Sequence, residues 1–153
     1  MPAQKVRQFL DSEGVAYRVV PHERAFTASE TAGAARIKAR VMAKAVIVQS
    51  NARYFMAVLS ADRRADLEAL RALVAVERLV LADEQEFASL FPGCEIGAMP
   101  PFGDLFGMPV FVDAMLREDE EIAFNDGTHS NLIVMAYKEY ERIVQPTVGE
   151  FAE

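Results

Sequence analysis

The sequence predicts an α+β domain, and three observations carry that reading. Apolar strands and amphipathic helices follow one another in mixed order with no internal repeat or linker. Two hairpins are written in the chain, one across Met42 to Leu59 and one around Asn125-Asp126-Gly127. At 153 residues, 52% hydrophobic and 25% charged, the chain has the length and composition of one globular unit. The expectation is a single domain over residues 1–153. Its sheet is mixed or largely antiparallel, with about six to seven strands and flanking helices.

The elements follow in order. Val6, Phe9 and Leu10 recur at helical spacing and Gly14 follows as a stop, which predicts a helix over residues 3–12. Val15 to Val20 alternate as a short strand that ends at Pro21. Thr27-Ala28-Ser29-Glu30 is a capping box that opens a helix running to about Ala35. Met42 to Gln49 is a strand, Ser50-Asn51-Ala52 turns it, and Arg53 to Leu59 returns. A helix begins at Asp62 and carries Leu67, Leu70, Leu73 and Val74 on one side. Arg78 to Leu81 is a short strand, and Asp83 opens a helix that Pro92-Gly93 stops. Met108 to Asp113 is a strand. Glu121–Phe124 and His129–Met135 pair around the Asp-Gly turn, and a last helix with Tyr137, Tyr140 and Val144 ends at Pro146.

Within this pattern the strand from Met42 is apolar on both faces, with Lys44 in its middle. A period of two sets Val41, Ala43, Ala45 and Ile47 on one side and Met42, Lys44, Val46 and Val48 on the other. Strands of this kind lie inside covered sheets. A lysine there is desolvated and its pKa falls, which suits it to catalysis or to holding an anionic or carbonyl oxygen. An edge lysine that blunts aggregation, a stem that snorkels to water and a partner of a buried carboxylate are the structural alternatives. A second unusual stretch is Gly97-Ala98-Met99-Pro100-Pro101-Phe102-Gly103. Its prolines remove backbone donors and its glycines permit unusual dihedrals, so it is either a packed connection or one wall of a pocket.

Composition excludes several classes. Cys94 is the only cysteine, so no intrachain disulfide forms, and it reads as a small core residue. With only His22 and His129 beside it, a zinc cage is not expected, and neither a metal nor a cofactor is called for. A net charge of −7 argues against a protein that coats DNA or RNA non-specifically. No apolar run approaches the roughly 18 residues of a membrane span, and the N-terminus lacks a signal-peptide core, so the expected location is the cytoplasm. Charge is unevenly spread: Arg36, Lys38, Arg40 and Lys44 crowd together, and acids crowd Glu118 to Glu121.

Taken in order, these features resemble the YbaK-type aminoacyl-tRNA deacylases, which include the editing domain inserted in bacterial prolyl-tRNA synthetases and its free-standing relatives. The resemblance covers residues 3–145. It rests on His22 with Thr27 and Glu30, on Lys44 in its strand, and on the Leu81-Ala82 strand end. Gly97-Ala98-Met99-Pro100-Pro101 matches the family's G-x-x-x-P element, and Asp113 and Gly127 complete the set.

The resemblance implies an editing fold and a hydrolase that cleaves the ester between a wrong amino acid and the 3′ end of its tRNA. It assigns the catalytic role to Lys44. It assigns the amino-acid pocket to Gly97, Ala98, Met99, Pro100 and Pro101, with His22, Thr27 and His129 as further substrate contacts. Amides at Gly97 and Ala98 are candidates to meet the carbonyl oxygen. Arg36, Lys38 and Arg40 fall to the tRNA acceptor end, and an aminoacyl-tRNA synthetase is the further partner. The implied enzyme acts in trans on a small amino acid such as alanine or cysteine, carried on proline tRNA. Ala45, however, stands where alanine-selective relatives carry asparagine. A binding module with the same fold and a small-molecule ester hydrolase are the alternatives.

Overall fold

The computed structural model of the chain describes residues 2–23, 31–33, 35–95 and 97–153. Helix α1 (Pro2–Ser12) leads into strand β1 (Tyr17–Pro21). The long hairpin β2 (Ala43–Ser50) and β3 (Arg53–Ser60) follows, then α2 (Leu67–Val74), β4 (Val80–Leu81) and the short α3 (Glu84–Phe87). Strand β5 (Val110–Asp113), the hairpin β6 (Glu121–Asn125) and β7 (Asn131–Ala136), helix α4 (Tyr137–Val144) and β8 (Thr147–Gly149) complete the order. The α+β class holds. The strands are shared between two sheets, however, ordered β1-β7-β6 and β4-β2-β3-β5-β8. Pairing is antiparallel except for β3–β5 and β5–β8, which run parallel.

The two sheets face one another across the main core. Ala43, Ile47, Met56, Val58, Val110 and Val112 enter it from the five-stranded sheet. Ile122, Phe124, Ile133 and Met135 enter it from the three-stranded sheet, with Val6 and Leu10 of α1 and Tyr140 of α4 closing the sides. Phe102 sits among three rings, Phe9, Phe124 and Tyr140, each meeting it edge to face. The outer face of the large sheet carries Val48, Phe55, Ala57 and Leu59 under Leu70 of α2. The outer face of the small sheet carries Ala123, Leu132 and Val134, joined by Met42, Ala32 and Ala61. The expected division of the lysine strand into two apolar faces is therefore observed.

One isolated parallel bridge, Met42 to Ala123, joins the sheets. Its hydrogen bond runs from the Ala123 amide to the Val41 carbonyl at 3.0 Å. It also positions the site.

Three differences from the sequence expectation have tertiary causes. Helix α2 begins at Leu67 and not at Asp62. Asp66 caps it by accepting from the Glu68 and Ala69 amides, while the amides of Arg64 and Asp66 are drawn off to the carbonyls of Glu153 and Phe151. Strand β8 follows Pro146, where an end was read, because a parallel partner in β5 is available to it. The last hairpin turns through Asp126–Ser130, wider than a two-residue Asp-Gly turn. Asp126 is buried and accepts from the amide and hydroxyl of Thr128 and from Arg7. The capping box at Thr27–Glu30 lies outside the described residues, and residues 31–33 are helical. Among the described residues no helix is long and apolar enough to cross a membrane.

Candidate functional site

Residues directly opposite one another in adjacent strands share a face. Val20 pairs with Leu132, and Leu132 pairs with Asn125. Leu132 lies on the outer face of the small sheet, so Asn125 is on that face too, at its end. One step further, the His22 amide donates to the Ser130 carbonyl at 3.0 Å, which continues the row past the end of β1. The Met42–Ala123 bridge brings in β2 from the other side. Two residues along each strand stand Lys44 and Asn125, and β2 and β6 remain in contact beyond the bridge. The sheet register thus gathers His22, Asn125 and Lys44 at one end of a single face.

Lys44 occupies the boundary between two outer faces. Met42 before it belongs to the small sheet's outer cluster, and Val46 after it packs toward α2. Its Nζ is 3.5 Å from the Ala61 carbonyl oxygen. Burial pushes the Lys44 pKa below the usual lysine value, partly offset by the charge of Asp62. An ammonium so placed is short of solvation and gains from a ligand oxygen.

This face, and the chain next to Ala32 that packs on it, also hold polar atoms without partners among the described residues. The hydroxyl of Thr31, the side-chain oxygen of Asn125 and Nε2 of His22 are buried and have no partner among the described residues. Thr31 is fully buried and Asn125 nearly so. Buried polar atoms without partners cost free energy, on the order of 1–3 kcal/mol each, and a substrate that bonds them recovers it. Sequence reasoning missed Asn125 and Thr31. In sequence Asn125 reads as a turn former, although its place at the end of an alternating strand is legible. Thr31 carried no signal, since its role depends on what folds over it.

The glycine-proline loop sits differently from the expectation. Gly97 adopts φ +85°, a left-handed conformation that explains the glycine. Ala98, Met99, Pro100 and Pro101 are buried, and Met99 packs in the main core, behind the small sheet. The Ala98 amide already donates to the Glu95 carbonyl at 3.0 Å, so it is not available for a substrate carbonyl, contrary to the expectation. The Pro101 carbonyl is taken by the Tyr140 hydroxyl at 2.6 Å. The loop is tied to the site through Glu95, whose amide donates to Gly127 and whose carboxylate accepts from the His129 amide. His129 is buried beside this junction. Lys44 and His22 therefore meet on one face, while His129 and the G-x-x-x-P loop adjoin it from behind. Thr27 lies outside the described residues.

Of the basic run, Arg36 and Lys38 are exposed. Arg40 is engaged with Glu118 at 2.6 Å and Asp119 at 3.6 Å, so the basic and acidic crowds, separate in sequence, are neighbours in space. Cys94 is half-buried, and burial pushes its thiol up to about 11, unsuited to nucleophilic attack. Among the described residues no three metal-ligating side chains gather.

A lysine short of solvation and buried polar groups without partners among the described residues make this end of the face a candidate site for a small polar group. The model of the aminoacyl-tRNA editing domain matches residues 22–143, and the chain belongs to that family. It is an aminoacyl-tRNA hydrolase of the proofreading class, with aminoacyl-tRNA as its partner. The Escherichia coli K12 protein named Multifunctional Ser/Thr-tRNA deacylase ProXp-y is 34% identical over 156 residues, spanning 97% of this chain and 91% of the relative. Among solved structures, a proposed trans-editing enzyme for prolyl-tRNA synthetase superposes with TM-score 0.84 at 24% identity, over 99% of this chain and 97% of the other. A protein described only as hypothetical reaches TM-score 0.87 at 21% identity, over 97% of this chain and 99% of that one. Both share the fold.

Proposed function

We propose that this chain hydrolyses tRNA mischarged with a small hydroxyl-bearing amino acid, serine or threonine, acting in trans. The observation that carries the reading is the buried side-chain oxygen of Asn125 on the face that holds Lys44, with the buried hydroxyl of Thr31 next in the chain to Ala32 of that face's apolar cluster, neither partnered among the described residues. A serine or threonine hydroxyl donates to one such oxygen. Alanine, the first candidate from sequence, leaves them unpaired, and cysteine offers only a weak S–H donor. Sites built to bond a hydroxyl reject analogues that lack it far more strongly than an apolar pocket rejects a missing methylene. The name of the Escherichia coli relative is consistent with this choice.

The chemistry asks little of the protein. Water adds to the ester carbonyl, the bond from the carbonyl carbon to the ribose oxygen breaks, and that oxygen leaves with a proton as the free hydroxyl. Lys44 supplies positive charge to the oxygen that becomes anionic, in a partly desolvated setting where such charge is most effective. His22, whose buried Nε2 has no partner among the described residues, holds the attacking water in this reading. Gly97 and His129 shape the wall behind. Proline tRNA is the carrier the resemblance points to.

The test is deacylation of a panel in which proline tRNA is charged with serine, threonine, alanine, cysteine or proline, using wild type and Asn125→Ala. Serine or threonine should be released fastest. Asn125→Ala should lose that preference by about tenfold while folding normally, because the oxygen removed makes no bond among the described residues. Equal rates on alanine and serine in wild type would refute the hydroxyl reading.

A further inference from the structure

The turn between β6 and β7, residues 126–130, is held through side-chain oxygens. The successive amides of Thr128, His129 and Ser130 donate to Oδ1 of Asp126, to Oε2 of Glu95 and to Oγ1 of Thr128. The Thr128 hydroxyl also donates to Asp126 Oδ1, at 2.7 Å, so one carboxylate oxygen sets both the backbone and the side chain of Thr128. The other oxygen, Oδ2, faces the Arg7 guanidinium of α1 at 3.3 Å, and the Asp126 side chain is fully buried. At the far end of the turn the Ser130 carbonyl accepts from the His22 amide at 3.0 Å. The His22 ring is oriented by its neighbour. Its Nδ1 lies 2.6 Å from the Glu23 carbonyl, so Nδ1 carries the proton and Nε2 presents its lone pair. A line of hydrogen bonds thus runs from Arg7 through Asp126, Thr128 and Ser130 to His22, and Asn125 directly precedes Asp126 in the chain.

We propose that Asp126 is a positioning residue of the editing site, held by Arg7 and acting through Thr128 on Asn125 and His22. The inference rests on the editing reading above and names what fixes two of its site residues relative to one another. A solvated Asp-Gly turn would join β6 to β7 without burying a charge. The wider turn instead places its carboxylate under α1, where a charge is costly unless it is paired and hydrogen-bonded. Asp126 meets both conditions, and every one of these bonds bears on the turn or its ends. Arg7 starts from a rigid base, since Val6 and Leu10 of the same helix are buried in the main core. Glu95 grips the turn from the other side, its amide donating to the Gly127 carbonyl at 2.9 Å. Helix, turn and both site residues therefore move as one piece. Sites of this kind need side chains held within about 0.5 Å of the productive geometry, which one strand end alone does not supply.

The experiment compares Thr128→Val, which keeps the side-chain shape and removes the hydroxyl, with Thr128→Ser, which keeps the hydroxyl. Amide hydrogen exchange is read by NMR at His22 and Ser130, with the β2–β3 hairpin as internal reference. In parallel, kcat and KM are measured on serine-charged proline tRNA. Thr128→Val should speed exchange at His22 and Ser130 about tenfold and leave β2–β3 unchanged. It should lower kcat by about ten- to a hundredfold with KM within about twofold, and Thr128→Ser should restore both readouts. Arg7→Met leaves the Asp126 carboxylate buried without its cation and should have the same pair of effects. Adding Asp126→Asn should recover most of that loss, because the amide oxygen still accepts from Thr128. Unchanged exchange at His22 in Thr128→Val would overturn the inference, as would a kcat within about twofold of wild type where exchange has risen. Exchange raised throughout the chain, with Thr128→Ser no better than Thr128→Val, would show a structural role only and refute positioning. Absence of deacylation by wild type would overturn the editing reading, and positioning with it, even where exchange bears out the line of hydrogen bonds, so the two failures are told apart.

Discussion

Replacing Lys44 by methionine removes the charge while keeping most of the side-chain volume. Among the described residues the lysine makes one long hydrogen bond, 3.5 Å to the Ala61 carbonyl, and it lines an open hollow with Val46 and Leu67. Methionine retains that packing, whereas alanine gives up about 0.8 kcal/mol per methylene that is truly buried. The charge itself is disfavoured by burial, so stability should change by no more than about 1 kcal/mol, or roughly 2–4 °C in a chain of this size. Its pH dependence has a definite sign. Between the lowered native pKa of Lys44 and the ordinary 10.5, the unfolded chain holds the proton and the native chain does not, so wild-type stability rises with pH across that window. Lys44→Met should gain on wild type at neutral pH and lose that gain as pH approaches 10.5. Activity should respond quite differently. Loss of one preorganised donor at a developing oxyanion costs about 10²–10³ in kcat. Single-turnover deacylation of serine-charged tRNA, with thermal melting in parallel, measures both. A variant that melts normally and keeps its rate within threefold would refute the catalytic role. One that fails to fold would show the lysine to be structural.

Other expectations bear on the frame and on reactivity. Asp113 is buried and accepts from the amides of Met115, Phe151 and Ala152, tying β5 to the C-terminal segment that lines the hollow. Asp113→Ala strands three donors and should cost about 3 kcal/mol or more in urea unfolding, with Asp113→Asn costing less. An equal cost for both would show that volume, and not acceptance, is what matters. The Cys94 thiol, raised from 9.0 to about 11, should react with iodoacetamide at pH 8 about a hundredfold more slowly in the native chain than in the unfolded one, since thiolate is the reactive form. Rapid native labelling would contradict its burial.

Much of the frame was legible because the evidence for it is local. The alternation of Met42 to Gln49 announced a strand with two covered faces, and both were found covered. Asp83 and Gly14 marked ends of helices through the backbone groups they satisfy or the dihedrals they permit. Lys44 stood out for the same reason: a charge in an apolar pattern is visible without any partner. Strand β8 was not visible, since Thr147–Gly149 has no alternation to show and is a strand only because β5 lies beside it. The start of α2 moved because the C-terminal segment competes for the amides of Arg64 and Asp66.

The sequence by itself determined the class of fold, the family and the singular lysine. The fold class and the lysine follow from periodicity and backbone-specific residues, and the family from the resemblance carried by the ordered motifs. Only the tertiary structure decided what stands next to that lysine. Asn125 is 81 residues away and His22 follows the end of another strand, and they reach the face of Lys44 through cross-strand register and one parallel bridge. The Ala98 amide looked available in sequence and is spent on Glu95. A residue's chemistry is written in its side chain, but its partners are set by register and packing, which no local pattern encodes.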